Sequence, residues 1–259
     1  MITNYTRVLL AIISTCKNWP SVIFAKISGT KIRNIVLKNG FMIYMNEIFG
    51  KADLSMFSEI FYKTYYNPQG FEIQEHDVVF DVGANNGFFT FYASQKATAG
   101  RVYSFEPLTS LTEKIKRTLL LNNIKHVHVE NVALGSESIR QAPFYISKNH
   151  NGCHSLYKRD GETEKTLVDI VGFEKYCKDH AIERIDFLKL DCEGAEYDIL
   201  SPNTMEFIKK TVKKISMEYH DDIPGHSHEE ILSLLSVHGF TGTIAHGYLY
   251  APNNNLHNE

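Results

Sequence analysis

The residues best suited to chemistry lie in short stretches that each follow an apolar run. The first is Asp81-Val82-Gly83-Ala84-Asn85-Asn86-Gly87, directly after Val78-Val79-Phe80. A strand running into a glycine turn and then a helix exposes unpaired backbone N–H groups, and Gly83 and Gly87 let that backbone approach a ligand where a Cβ would clash. A dinucleotide fingerprint would need glycine two residues on and a small residue five residues on. Counted from Gly83, those positions hold Asn85 and Phe88. The carboxylate of Asp81, placed in the turn, repels a pyrophosphate but suits the amino group of an amino-acid ligand. S-adenosylmethionine carries an amino acid and no phosphate, so the turn favours it over NAD.

Glu106, in Ser104-Phe105-Glu106-Pro107, ends the next strand about 20 residues past the turn, where a carboxylate accepts ribose hydroxyls. Pro107 stops that strand. Ala133, in Asn131-Val132-Ala133-Leu134-Gly135, is a small residue able to frame an adenine, or else an ordinary strand end. Lys189-Leu190-Asp191-Cys192-Glu193-Gly194-Ala195-Glu196 gathers three carboxylates between a strand and a helix. Acids there complement a helix dipole. Asp191 falls on the active edge with Glu193 close behind, and Glu196 is either a cap or a ligand. His220, after Met217-Glu218-Tyr219, ends a strand on the same edge, and an imidazole there can act as a general base near neutral pH. His226 and His228 continue the run without recognised metal-ligand spacing, so no metal site is expected. His150 and His154 flank Asn151-Gly152-Cys153 in what reads as a substrate-side loop.

These stretches need a scaffold that brings strand ends together. Residues 5–28 read as one amphipathic helix packed on the domain, with attachment to a membrane surface as the alternative. Asn39-Gly40 between apolar runs predicts a hairpin with a type I′ turn. A helix follows over 52–65. Strands at 78–80, 102–105, 127–132, 185–190 and 214–218 alternate with helices at 109–122, near 170–180, from Gly194 and at 227–238, and a hairpin at 240–244 and 248–251 ends the pattern. Such alternation implies βαβ units and a parallel sheet with helices on both faces. Ligands then bind beyond the carboxyl ends of the strands, where the strand order reverses. Residues 1–66 form an N-terminal helical and hairpin accessory segment, and 67–259 the catalytic domain.

Hydrophobic residues make up 43% and charged residues 22% of the chain, as in an ordinary globular protein. The 27 basic and 30 acidic side chains leave a formal charge of −3, which gives no electrostatic footprint for nucleic acid. Cys16, Cys153, Cys177 and Cys192 lack paired spacing, so a reducing, cytoplasmic setting is expected. The apolar run Val8–Ile13 falls well short of the roughly 20 residues a spanning helix needs.

The chain resembles the FkbM-type methyltransferase family in residues 79–87, in Phe105-Glu106-Pro107, in Ala133-Leu134-Gly135 and, most specifically, in residues 187–196, with order and spacing matching from about residue 35 to 220. The region of Glu59 and Tyr65 is also similar. The resemblance implies an α/β, Rossmann-like class I methyltransferase with a mostly parallel seven-stranded sheet whose last strand is antiparallel. It implies S-adenosylmethionine as donor and a hydroxyl of a sugar, glycolipid or small metabolite as acceptor. It places Asp81, Gly83 and Asn85 on the methionine end, Glu106 on the ribose, and Asp191 and Glu193 at the methyl transfer. Gly87, Pro107, Ala133 and Asp191 complete the expected cofactor contacts. One departure stands at Thr166-Leu167-Val168-Asp169, where Val168 replaces an acid common in the family. Alternatives are N-methylation of a metabolite or protein, and a non-catalytic nucleoside-binding domain. No Asn-Pro-Pro-Tyr element follows a strand, which argues against methylation of DNA bases.

Overall fold

The computed structural model describes residues 4–147, 154–157, 163–221 and 226–256. The N-terminal helix expected over 5–28 is two helices, α1 (Asn4–Thr15) and α2 (Trp19–Ser28). Asn18 breaks it: its side-chain amide donates to the Asn34 carbonyl at 3.0 Å, and its oxygen accepts from the Val36 N–H at 2.9 Å. Pro20 then sits in the first turn of α2, where a missing N–H costs nothing. The hairpin of β1 (Lys31–Val36) and β2 (Met42–Ile48) forms as expected, but its turn differs. Gly40 alone takes a positive φ, +93°, and its N–H reaches the Leu37 carbonyl while Leu37 N–H reaches Phe41. This is a three-residue loop closed by a left-handed glycine, not a type I′ turn. Helix α3 (Lys51–Phe61) ends earlier than predicted, before Thr64 turns left-handed at φ 53°.

The main sheet alternates with helices as predicted through β3 (Val78–Val82), α4 (Phe88–Ser94), β4 (Arg101–Phe105), α5 (Thr109–Leu121) and β5 (Val127–Glu130). The stretch that follows holds three strands the sequence pattern missed: β6 (Ala133–Gly135), β7 (Ile139–Ser147) and β8 (Thr163–Gly172). They form a separate sheet ordered β6-β8-β7. Pro143 inside β7 obscures its strand pattern, being tolerated only because β7 is an edge strand. Next come α6 (Phe173–Asp179) and β9 (Phe187–Leu190). The helix expected from Gly194 is broken at Ser201-Pro202 into α7 (Glu196–Ile199) and α8 (Pro202–Thr211). The chain finishes with β10 (Lys214–Glu218), α9 (His228–Val237), β11 (Thr243–Ala245) and β12 (Tyr248–Pro252).

The main sheet is ordered β11-β12-β10-β9-β3-β4-β5. Its five strands from β10 to β5 are parallel, and β12 runs antiparallel to β10. The chain leaves β3 toward β4 and β5, then returns on the other side through β9 and β10. The order therefore reverses between β3 and β9. Their register pairs Asp81 with Lys189 and Val82 with Leu190, so Gly83 and Asp191 leave the sheet together.

Both faces of the sheet are buried, which is why its strands read as unbroken apolar runs. One face packs Phe80, Val82, Leu188 and Leu190 against Phe173, Ile199 and Met205. The other joins Val79, Val102 and Phe187 to Phe88, Phe89 and Phe91 and to Ile35, Ile43, Phe49 and Phe57 of the first 66 residues. The N-terminal hairpin thus shares a core with the sheet. Asn122, just past α5, pins it there: its oxygen accepts from Met42 N–H at 2.8 Å, and its amide donates to the carbonyls of Met42 and Thr118, each at 2.7 Å. Asn122→Ala strands these groups and is expected to destabilise the protein by about 2 kcal/mol, seen as a lower denaturant midpoint at unchanged slope. An unmoved midpoint would show that the hairpin needs no such pin.

Candidate active site

Gly83, at φ +76°, starts the turn after β3. A Cβ on it would lie 1.8 Å from the Asp191 carbonyl oxygen, so only glycine lets the turns after β3 and β9 touch. Gly87 serves packing instead of ligand approach: a Cβ there would press on Ile115 and Phe91 at 2.6 and 2.8 Å. Asn85, also left-handed at φ 49°, gives its N–H to Glu106 Oε2 at 2.8 Å. Glu106 Oε1 accepts from Leu108 N–H at 2.9 Å. Burial pushes the Glu106 carboxyl up to about 7, against the pull of these two amides. Glu106, Pro107, Ala133, Cys192 and Glu193 line one cavity at the strand ends, closed over by Leu156 and His154. Ser155 Oγ fastens that overlying segment by donating to the Glu193 carbonyl at 2.6 Å. Burial lowers the pKa of His154. His150 and Asn151-Gly152-Cys153 lie outside the described residues.

A second cavity opens on the α3 side, lined by Glu59, Tyr66, Asn86, Phe89, Lys189 and Glu218. Gly83, Asn85, Met56 and Asp191 border both cavities. Asp81 lines neither. It lies on β3, not in the turn, and is fully buried. Its Oδ1 stands 3.0 Å from Lys189 Nζ, and its Oδ2 accepts from Thr90 Oγ1 at 2.5 Å. A carboxylate so engaged holds Lys189 and leaves no free charge for a ligand ammonium. Lys189 in turn donates to the carbonyls of Gly83 at 2.8 Å and Val82 at 3.3 Å, and stands 3.7 Å from Asp191 Oδ2. Burial alone would lower its pKa, but Asp81 and Asp191 hold it above the ordinary lysine value.

Asp191 is half-buried, and its Oδ2 accepts from the Tyr66 hydroxyl at 2.7 Å. The same hydroxyl lies 3.2 Å from Glu218 Oε2. Burial and the neighbouring Asp191 push Glu218 up to about 7, with His220 pulling the other way. Burial, with Asp191 next, keeps the Tyr66 hydroxyl protonated by raising its pKa far above 10.0. Tyr66, Lys189 and Glu218 were not singled out from sequence. The available signal was a lysine inside a four-residue strand otherwise wholly apolar.

His220 reaches the site but not as a base. Its Nδ1 lies 2.9 Å from Glu196 Oε1 and its Nε2 3.5 Å from Glu193 Oε2. Burial would lower its pKa, yet the hydrogen bond and charge of Glu196, with Glu193 and Asp191 behind, push it up to about 10. At neutral pH it is an imidazolium clamped between carboxylates, with no lone pair to accept a proton. Ligand atoms of Asp191, Glu193 and His220 come within 4.8 Å of one another. Glu196 is a loop clasp: fully buried, it also accepts from the N–H groups of Cys192 at 2.9 Å and Gly194 at 2.6 Å. His226 and His228 lie apart, stacked on Tyr197 and Tyr219.

A parallel sheet that reverses at β3/β9, with a glycine turn after β3 and a buried carboxylate after β4, is the architecture of a class I methyltransferase. The model of the methyltransferase FkbM domain matches residues 81–241, more than half of the chain, and the protein belongs to that family. Methyltransferase 1 of Beauveria bassiana (strain ARSEF 2860) is 26% identical over 187 residues, covering 65% of this chain and 74% of its own length. The 31-O-demethyl-FK506 methyltransferase FkbM of Streptomyces tacrolimicus is 25% identical over 224 residues, covering 76% and 85%. A crystal structure of methyltransferase FkbM from Methylobacillus flagellatus KT is 15% identical with a TM-score of 0.48, covering 96% of this chain and 58% of that one. The family's methyl donor is S-adenosylmethionine. The residues present fit it: Glu106 would offer a buried carboxylate to ribose hydroxyls beside the small Ala133, and Asn85 borders both that cavity and the one lined by Lys189 and Asp191.

Gly83→Ala forces the two turns apart. The substitution should cost about 2–3 kcal/mol of stability and weaken donor binding more than tenfold as a rough bound on lost complementarity, read by calorimetry on the folded fraction. Retained affinity would mean that the contact between the turns does not shape the site.

Proposed function

We propose that the protein moves the methyl group of S-adenosylmethionine to a hydroxyl oxygen of a sugar, glycolipid or other small molecule in the cytoplasm. The observation that carries this reading is Asp191, which borders both cavities while Tyr66 and Lys189 engage its Oδ2. Its Oδ1 is left for an acceptor hydroxyl. When bound, the donor supplies an electrophilic sulfonium methyl. The protein's own contribution is alignment, worth up to about 7–11 kcal/mol for well-oriented partners, and removal of the hydroxyl proton, worth about 10²–10⁴-fold. Asp191 accepts that proton. Tyr66 positions that base by donating its hydroxyl to Oδ2, and Glu218, once ionised above about 7, strengthens it by repulsion.

The cavity walls support this acceptor class. Glu59, Asp191 and Glu218 face the second cavity, and three carboxylates repel a polyanion while accepting hydrogen bonds from hydroxyls. The Streptomyces tacrolimicus relative has a name that specifies an O-demethylated substrate. No described helix is long and apolar enough to cross a membrane. Cys16, Cys177 and Cys192 are unpaired thiols, which suits a reducing compartment.

Asp191→Asn should lower kcat by about 10²–10⁴-fold, and Tyr66→Phe by a smaller factor, both with donor affinity nearly unchanged. Because an ionised Glu218 makes Asp191 the stronger base, wild-type kcat should fall as pH drops through about 7, and Glu218→Gln should remove that limb. Stability gives an independent check. Folding raises the Glu218 pKa from 4.5 to about 7, so wild type should lose stability as pH rises through that window, and Glu218→Gln should not. Unchanged turnover in Asp191→Asn would discard Asp191 as the base.

A further inference from the structure

Helix α2 is apolar on two opposite sides and uses only one of them. Val22 and Ala25 are buried in the core at 0% and 4% exposure. Trp19, Phe24 and Ile27 stand out at 40%, 68% and 81%. At 3.6 residues per turn, Trp19, Pro20, Phe24 and Ile27 share one stripe, facing away from Val22 and Ala25. Isolated exposed apolar side chains are ordinary, but a contiguous stripe on one helix marks a surface that meets something.

The charge around that stripe identifies what it meets. The first 46 residues hold six basic side chains (Arg7, Lys17, Lys26, Lys31, Arg33 and Lys38) and no acidic one, a net of +6. The remaining residues hold the other 21 basic and all 30 acidic side chains, a net of −9. The chain's near-neutral total therefore hides a segregation of charge. Lys31 and Arg33 line the same groove as Pro20 and Phe24. Lys26 borders the stripe on α2 itself, and Lys17 precedes Trp19. Among the described residues, Lys17, Lys26, Lys31 and Arg33 form no ion pair with the protein.

We propose that α2 and the adjoining end of β1 dock the protein onto the anionic surface of a lipid bilayer. Trp19, Phe24 and Ile27 would enter the boundary between headgroups and acyl chains, while the cations meet lipid phosphates and stay at headgroup level. Three or four apolar side chains on a ten-residue helix hold a bilayer only weakly, so anionic lipid is required and attachment is reversible. A second copy of the chain fits this face poorly, because a two-fold contact sets the same cations against each other. The inference does not depend on the acceptor, since none of these residues borders either cavity. The placement does bear on it: α1 packs on α3, whose Met56, Glu59 and Ile60 line the second cavity.

Trp19 is the chain's single tryptophan, so its fluorescence reports directly on the proposed contact. The full chain is titrated with phosphatidylcholine vesicles, with and without phosphatidylglycerol, and sedimentation is measured in parallel. The expected result is a blue shift and co-sedimentation with anionic vesicles only, reversed by high salt. The K31E/R33E pair should weaken binding about tenfold or more, at roughly fivefold per basic residue near an anionic surface. F24S/I27S should weaken it comparably. These exposed substitutions should leave donor affinity unchanged, which verifies folding. No binding, equal binding to neutral vesicles, or salt-insensitive binding would overturn the proposal. So would a lipid-independent shift of Trp19 that grows with protein concentration alongside a dimer mass, because a second copy would then cover the face.

Discussion

The site rests on the buried pair of Lys189 and Asp81. The two residues sit side by side on β9 and β3, in the plane of a sheet whose faces are otherwise packed with aromatic and aliphatic side chains. Neither charge is tolerable there alone, and removing one partner from such a pair typically costs about 3–5 kcal/mol. Lys189 is also where the pair becomes more than self-compensating. Its ammonium binds the carbonyls of Val82 and Gly83 and approaches Asp191, so one cation fixes the glycine turn and orients the carboxylate opposite it. With Gly83 lacking a Cβ, the two strand ends close to contact and the cavities are formed on either side of that contact.

From this centre the electrostatics divide by position. Toward β10, carboxylates accumulate at Asp191, Glu193, Glu196 and Glu218, and the field they create settles the state of each titratable neighbour. His220 becomes a permanent cation that neutralises Glu193 and Glu196, and so keeps the loop after β9 from repelling itself open. Glu218, buried and repelled by Asp191, instead keeps its proton to about neutral pH. Two residues separated by one position in sequence therefore take opposite roles: one holds charge steadily and the other exchanges it near neutrality. Cation placement at the N-terminus follows a different logic, since Lys17, Lys31, Arg33 and Lys38 are exposed and form no ion pair among the described residues.

Much of this was legible in sequence because strand ends in a parallel sheet are where backbone geometry concentrates function. Gly83, Glu106, Ala133, Asp191 and Glu193 all border one cavity, as their positions after successive strands implied. What the sequence hid were pairings over long separations. Tyr66 meets Asp191 from 125 residues away, and Lys189 reaches Val82 across 107. Without those partners, Asp81 reads as a ligand and not as a counter-ion, and His220 reads as a base because its ordinary pKa is near neutral. Local breaks were hidden for the same reason. Asn18 ends α1 through hydrogen bonds to Asn34 and Val36, which no pattern inside the helix announces. The sheet of β6, β7 and β8 escaped because Pro143 interrupts its clearest run.

The central claim is that the strand-end cavity holds S-adenosylmethionine with its ribose on Glu106. Calorimetric titration of the purified protein with S-adenosylmethionine and, separately, with NAD tests it most directly, repeated on Glu106→Ala. The account predicts binding of S-adenosylmethionine alone, weakened about 10- to 100-fold in the variant by loss of charged hydrogen bonds. Preference for NAD, no binding of S-adenosylmethionine, or full affinity in Glu106→Ala would contradict it.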